Sequence, residues 1–97
     1  MTWIPITPPQ DARGELRDAY QAVYVLYPPE YGSVVADAIR RPDGTADSIV
    51  AAHSLIPQAL RHSMSAYGAM LSPELPLTRS QHEMIATVVS ALNACFY

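Results

Sequence analysis

The sequence predicts an all-α domain with four to five helices. Apolar residues recur at helical spacing in several segments, most cleanly after Thr78. Proline-containing breaks separate those segments. No strand alternation and no hairpin turn signal rises above noise anywhere in the chain.

Residues 1–10 contain Pro5, Pro8 and Pro9 and read as an extended lead-in, with Trp3 as a packing anchor. The first helix is expected from Asp11 to Tyr27. Leu16, Ala19, Tyr20, Val23, Leu26 and Tyr27 form its inner face, and Pro28-Pro29 ends it. Asp11 sits where it can cap the helix or favour its positive end. A shorter helix follows over Glu30–Arg40, closed by the Pro42-Asp43-Gly44 turn. Thr45 or Asp47 can then cap a short helix, Ser48–His53.

Ser54 reads as the next N-cap, with Pro57 tolerated in the first turn. The buried stripe expected here is Leu55, Ile56, Ala59, Leu60, Met64, Tyr67 and Leu71. Ser63, Ser65, Ala66 and Gly68 give this helix a small-residue side for close approach. Ser72-Pro73-Glu74-Leu75-Pro76 breaks it. Thr78-x-x-Gln81 is a capping-box signature, and Met84, Ile85, Val88, Val89 and Leu92 form the apolar face behind it. That last segment stays apolar to Tyr97, with no glycine and no basic last turn. A helix this apolar needs a partner, and the expectation is a single domain over 1–97 that forms the front part of a longer protein.

Composition narrows the function classes. Hydrophobic residues make up 49% and charged residues 15% of 97 residues, which is not the signature of disorder. So short and so apolar a chain leans on further surface for stability, in favour of a homo-oligomer or a missing remainder. The net charge is −3, and all six cations are scattered arginines. Without a basic stripe, nucleic acid is not an expected partner. The chain has no lysine, which removes Schiff-base chemistry and the Walker-type phosphate loop. The single cysteine forms no internal disulfide and suits a reducing compartment. No signal peptide and no membrane-length segment is visible, so a cytoplasmic protein with no membrane partner is expected.

His53, His62 and His82 share no metal-ligand spacing, and no metal or cofactor is expected. The tyrosines read as amphipathic residues at the edge of the core. Taken alone, Cys95 is a small buried hydrophobe in an apolar helix, and Glu83 a solvated carboxylate in a first helical turn.

Together these residues say more. The tail from Glu83 to Tyr97 reads E-M-I-A-T-V-V-S-A-L-N-A-C-F-Y. Glu83, Val89-Ser90, Asn93 and Cys95 resemble the AhpD-like (alkylhydroperoxidase D) group of the carboxymuconolactone decarboxylase superfamily, in its peroxidase-related branch. Gly14-Glu15-Leu16, the Leu55–Leu71 helix and the Leu77-Thr78-Arg79 lead-in also fit that branch. The resemblance implies an AhpD-like helical fold and a thiol peroxidase. In that chemistry a Cys-x-x-Cys pair reduces a hydroperoxide, and an external dithiol reduces the resulting disulfide. The implied catalytic residues are Cys95, as the resolving thiol, and Glu83, as a proton-relay carboxylate. Asn93 and Tyr97 support them. The family's second cysteine falls immediately after Tyr97, and its histidine four residues beyond. The 97-residue chain by itself therefore lacks the attacking thiol. Members of the superfamily commonly form homo-oligomers.

In one straight helix Glu83 and Cys95 stand roughly 18 Å apart, too far for proton relay. A bend at Asn93 resolves this if Asn93 caps a new helix with Cys95 in its first turn, at the positive end that favours a thiolate. Two alternatives stand beside the peroxidase. One is a carboxymuconolactone decarboxylase-type enzyme, against which Cys95 and Asn93 argue. The other is a non-catalytic helical module that dimerises through its apolar faces, with Cys95 merely buried.

Overall fold

The computed structural model describes residues 4–27 and 49–95. Within them the chain is all-α. A 3-10 turn, Pro9–Asp11, precedes α1 (Gly14–Tyr24), α2 (Ile49–Ala52), α3 (Pro57–Met70) and α4 (Arg79–Leu92). No strand occurs among these residues. The expected helix over Glu30–Arg40, the turn after it, Trp3 and Tyr97 lie outside the described residues.

The core sits where α1 packs along α3. Ala19, Tyr20 and Val23 share one face of α1, and Leu60, Met64 and Gly68 share one face of α3. Val23 and Leu60 are fully enclosed at the centre, and Val50 of α2 and Ala12 close its margins. Burial of each large aliphatic side chain there stabilises the fold by about 1.5–3 kcal/mol. Gly68 sets how near the helices come. A methyl group at this position would stand 2.8 Å from Cβ of Leu26 and 3.2 Å from the Tyr27 ring. A run of tyrosine rings seals the same seam. Tyr20 stacks on Tyr24 at 5.9 Å, Tyr24 meets Tyr27 edge-on at 6.1 Å, and Tyr27 meets Tyr67 of α3 edge-on at 5.9 Å.

Hydrogen bonds tie the lead-in to this core. The Tyr20 hydroxyl donates to the Thr7 carbonyl at 2.7 Å, and the Thr7 amide donates to Ser54 Oγ at 2.8 Å. Ser54 is buried, and it is not the N-cap of α3 that its position suggests. Ile56 occupies that cap with no side-chain hydrogen bond, and Pro57 opens the helix. The Ser54 hydroxyl instead satisfies an amide 47 residues earlier in the chain.

Other expectations shift for local reasons. The first helix begins at Gly14, not Asp11, because Pro9–Asp11 forms its own tight turn. Gly14 has φ +52°, a left-handed conformation that lets the chain swing from that turn into α1. At the other end, Leu26 and Tyr27 donate to the carbonyls three residues back, so the last turn tightens beyond Tyr24. Of the expected Ser48–His53 helix, Ile49–Ala52 is helical, His53 lies beyond its end, and Ser48 lies outside the described residues. Leu55 and Ile56 are exposed and leave the expected buried stripe, since they precede the first turn of α3. Tyr67 is half-exposed, and Gly68 takes the buried position beside it.

Two outcomes follow from this packing. Gly68→Ala adds a methyl where about 1–3 kcal/mol of overpacking outweighs up to about 1 kcal/mol of better helix propensity. Urea unfolding should show a net loss of about 1–2 kcal/mol, and unchanged stability would refute the close approach. The tyrosines should part company. Burial first, and the neighbouring rings second, push the hydroxyls of Tyr20 and Tyr27 above the ordinary phenol value; beside Tyr20, Ser54 partly opposes this. Tyr27 Oη is buried with no hydrogen-bond partner among the described residues. Tyr20→Phe orphans the Thr7 carbonyl and should cost about 1–2 kcal/mol, whereas Tyr27→Phe should be neutral or stabilising. Because the folded values lie above the unfolded value of 10.0, the stability they carry is intact below pH 10. It is lost as pH rises from there through the raised values, and the double Phe variant should flatten that alkaline slope.

Candidate functional site

The candidate residues all belong to α4 and its exit, and both ends of this helix are chemically defined. At the start, Thr78 Oγ1 accepts from the Gln81 amide at 3.3 Å, and Gln81 Oε1 accepts from the Thr78 amide at 2.8 Å. This is the capping box expected from the sequence. One turn on, Arg79 Nε donates to Glu83 Oε1 at 2.7 Å. Both side chains are about half exposed, so the pair adds only about 0.3–0.5 kcal/mol while fixing where the carboxylate sits. Thr87 Oγ1 donates to the Glu83 carbonyl at 2.7 Å and lies on the same side of the helix.

At the far end the helix stops at Leu92, with Asn93 as its C-cap. Ala94 takes a left-handed conformation at φ 50°. Its amide donates to Ala91 O at 3.1 Å, and the amide of Cys95 donates to Ser90 O at 2.9 Å. This pair of bonds is a Schellman termination, with alanine at the position glycine usually fills. The chain leaves the helix at Asn93, in keeping with a bend there. The nature of the bend differs from the expectation. Asn93 closes α4, and among the described residues it opens no new helix. Cys95 therefore stands at the carbonyl, partly negative end of α4, not at a positive end. The physical cause is Ala94, whose backbone folds the next amide back onto Ser90.

Cys95 is a free, exposed thiol, not a buried hydrophobe within the helix. Glu83 and Cys95 lie along one shallow groove on the side of α4, with Thr87, Ser90 and Ala94 between them. Ser90 is seven residues from Glu83, roughly 10 Å along the axis. The Cys95 amide sits 2.9 Å from the Ser90 carbonyl oxygen. The fold-back therefore brings the two ends of the groove closer than one straight helix allows. Tyr97 lies outside the described residues. The part played by Thr87 was readable from its four-residue spacing to Glu83. Nothing in the sequence flagged Ala94, because its side chain does not favour its backbone conformation.

A second groove, of about 530 Å³, runs between the end of α3, the 71–77 connector and α4. It is mostly apolar, with Tyr67, Met70, Leu77, Ile85 and Val89 in its walls. His82 also lines it, partly buried, with its ring Nε2 enclosed and without a hydrogen-bond partner among the described residues. Ala86 and Ser90 border both grooves. Beside the apolar groove, Met84, Val88 and Leu92 stand in a row at 57–82% exposure. No residue of α4 is buried, so its apolar face has no cover among the described residues. Among the described residues no cluster of His, Cys, Asp and Glu is arranged to hold a metal ion. No helix among them is long and apolar enough to cross a membrane.

The termination geometry gives a direct test. Ala94→Gly relieves a left-handed alanine worth about 1 kcal/mol. Hydrogen exchange at the Ala94 and Cys95 amides should slow about three- to fivefold, whereas Ala94→Val should speed it. Equal exchange in all three chains would show that the Schellman bonds do not form.

Compared with known proteins, the chain matches no protein-family model, no curated protein and no solved structure.

Proposed function

We propose that Cys95 is the resolving thiol of a Cys-x-x-Cys hydroperoxide-reducing site of the AhpD-like kind, with Glu83 as its proton-relay carboxylate. The observation that supports this reading most is the shared groove. Cys95 is exposed just past a helix end, on the side of α4 that also carries Glu83. A resolving thiol needs access and freedom to move, and a position beyond the last helical turn supplies both. It does not need the positive helix end that activates an attacking thiol.

The chemistry runs in three steps. A second cysteine, three residues after Cys95, attacks the hydroperoxide as its thiolate. The O–O bond breaks, the alcohol leaves with a proton, and the cysteine becomes a sulfenic acid. The Cys95 thiol then attacks that sulfur, forming a disulfide and releasing water. An external dithiol reduces the disulfide and is itself oxidised to a disulfide. Glu83 orients and charges a histidine placed four residues after the second cysteine, and this histidine takes the proton of the attacking thiol. A reducing, cytoplasmic setting suits a thiol that must be returned to its reduced form after each cycle.

A second reading has one observation in its favour. The uncovered α4 face fits a helical module whose purpose is to join copies of itself, although in this form Cys95 is exposed and not buried as that reading expects. No observation favours a decarboxylase.

The codons after Tyr97 provide the first test. A cysteine codon followed four residues later by a histidine codon supports the peroxidase; a stop codon or any other pair overturns it. In the protein that carries the pair, cumene hydroperoxide consumption driven by a dithiol should fall about 100-fold or more in Cys95→Ser, with the sulfenic acid trapped on the second cysteine. Glu83→Gln should lower the rate of thiol attack and leave disulfide reduction unchanged. Full turnover in Cys95→Ser would remove the resolving role.

A further inference from the structure

We infer that the tyrosine seam is a path for oxidising equivalents, leading from the apolar groove beside α4 to the exposed side of α1. The phenol rings stand along it in unbroken sequence. Tyr67 meets Tyr27 edge-on at 5.9 Å, and Tyr27 meets Tyr24 edge-on at 6.1 Å. Tyr24 then stacks on Tyr20 at 5.9 Å, with the ring planes only 6° apart. Phenol is among the side chains that give up one electron most readily, and rings in contact leave only short tunnelling steps between them. The inference is independent of the peroxidase reading, since no step uses Cys95 or Glu83.

The two ends differ, and the difference gives the path a direction. Tyr67 is half-exposed and forms part of the groove wall, with Met70 one turn further on. So apolar a groove suits an organic oxyl radical (alkoxyl or peroxyl), which would otherwise oxidise the Met70 thioether. The radical takes the hydrogen atom of the Tyr67 hydroxyl and leaves as an alcohol or a hydroperoxide, and Tyr67 becomes a phenoxyl radical. An electron then passes from Tyr24 to Tyr67 through the Tyr27 ring. Tyr67 regains a proton from water, Tyr24 releases one to water, and the phenoxyl radical now stands on Tyr24. Half-exposure of Tyr24 permits that release. Its parallel neighbour spreads the electron deficiency over two rings, and Tyr20 Oη donates to the Thr7 carbonyl at 2.7 Å. The stacked pair is therefore the lower resting place. A soluble hydrogen-atom donor, such as a thiol, restores Tyr24 there.

Tyr27 is suited to pass the electron without keeping the radical. Its Oη is buried with no hydrogen-bond partner among the described residues, and packing alone gives no reason for a hydroxyl at that place. A phenol ring is easier to oxidise than a benzene ring, so the hydroxyl lowers the barrier to tunnelling. With no acceptor beside it, the hydroxyl keeps its proton, and no stable phenoxyl radical forms on Tyr27.

Flash photolysis of the 97-residue chain tests the path. Met70→Cys combined with Cys95→Ser leaves one thiol, beside Tyr67, for attachment of a ruthenium polypyridyl photo-oxidant. An external acceptor takes an electron from the excited label, and the oxidised label then takes one from Tyr67. A nitroso spin trap, located by peptide mass spectrometry, should mark Tyr24 most heavily. Tyr67→Phe should abolish that adduct. Tyr27→Phe, which keeps the ring, and Tyr24→Phe should each shift the adduct to Tyr67. Circular dichroism checks that each variant keeps its helices; if Tyr27→Phe does not, Tyr67→Phe, at a half-exposed site, decides. Absence of adduct from Tyr24 in the labelled chain overturns the inference. So does adduct at Tyr24 that is undiminished in a helical Tyr67→Phe or Tyr27→Phe chain.

Discussion

The close approach of α1 and α3 at Gly68 is the constraint on which the rest of this structure depends. Only a residue without a side chain lets Leu26 and Tyr27 close over the end of α3. That closure brings Val23 against Leu60 and Met64 and lines up the tyrosine rings along the seam. With the seam closed, the Tyr20 hydroxyl reaches the Thr7 carbonyl, and the Thr7 amide reaches Ser54. Lead-in, α1, the α2 turn and α3 thus become one unit. The core is small, and the apolar groups of α4 lie outside it.

This division explains the character of α4. A 14-residue helix alone in water is marginal, because nucleation is costly and few bonds repay it. With its sides unburied, α4 is fixed at its ends, by the Thr78–Gln81 box and by the fold-back onto Ser90 and Ala91. The same arrangement gives the helix two distinct sides. One presents a carboxylate and, past the last turn, a thiol. The other presents an uncovered apolar ridge and groove. Ala86 and Ser90 lie between the two sides and border both grooves.

Features set by neighbours in sequence were legible, and features set by distant contacts were not. The Thr78-x-x-Gln81 pattern specifies its own hydrogen bonds, so the start of α4 was readable. The inward faces of α1 and α3 follow from spacing, and Gly68 was visible as part of a small-residue side. Ser54 misled because its true partner, the Thr7 amide, is far away in the chain, while the local pattern of a serine before a proline mimics an N-cap. Leu55 and Ile56 misled because periodicity does not reveal where a helix begins. The exit at Asn93 was legible as a bend. Its direction was not, since it depends on a left-handed alanine that the residue type does not favour. Periodicity also announced the α4 face without saying what covers it.

One cooperative unit, built on the α1–α3 seam, carries α4 as a separately held helix. Residue-resolved hydrogen exchange on the 97-residue chain tests this most directly. Exchange should be slow at the amides of residues 19–23 and 60–68, limited by global unfolding, and faster by at least about 100-fold at residues 84–92 through local opening. Equal protection in the two sets would contradict it, because α4 would then belong to the same cooperative core.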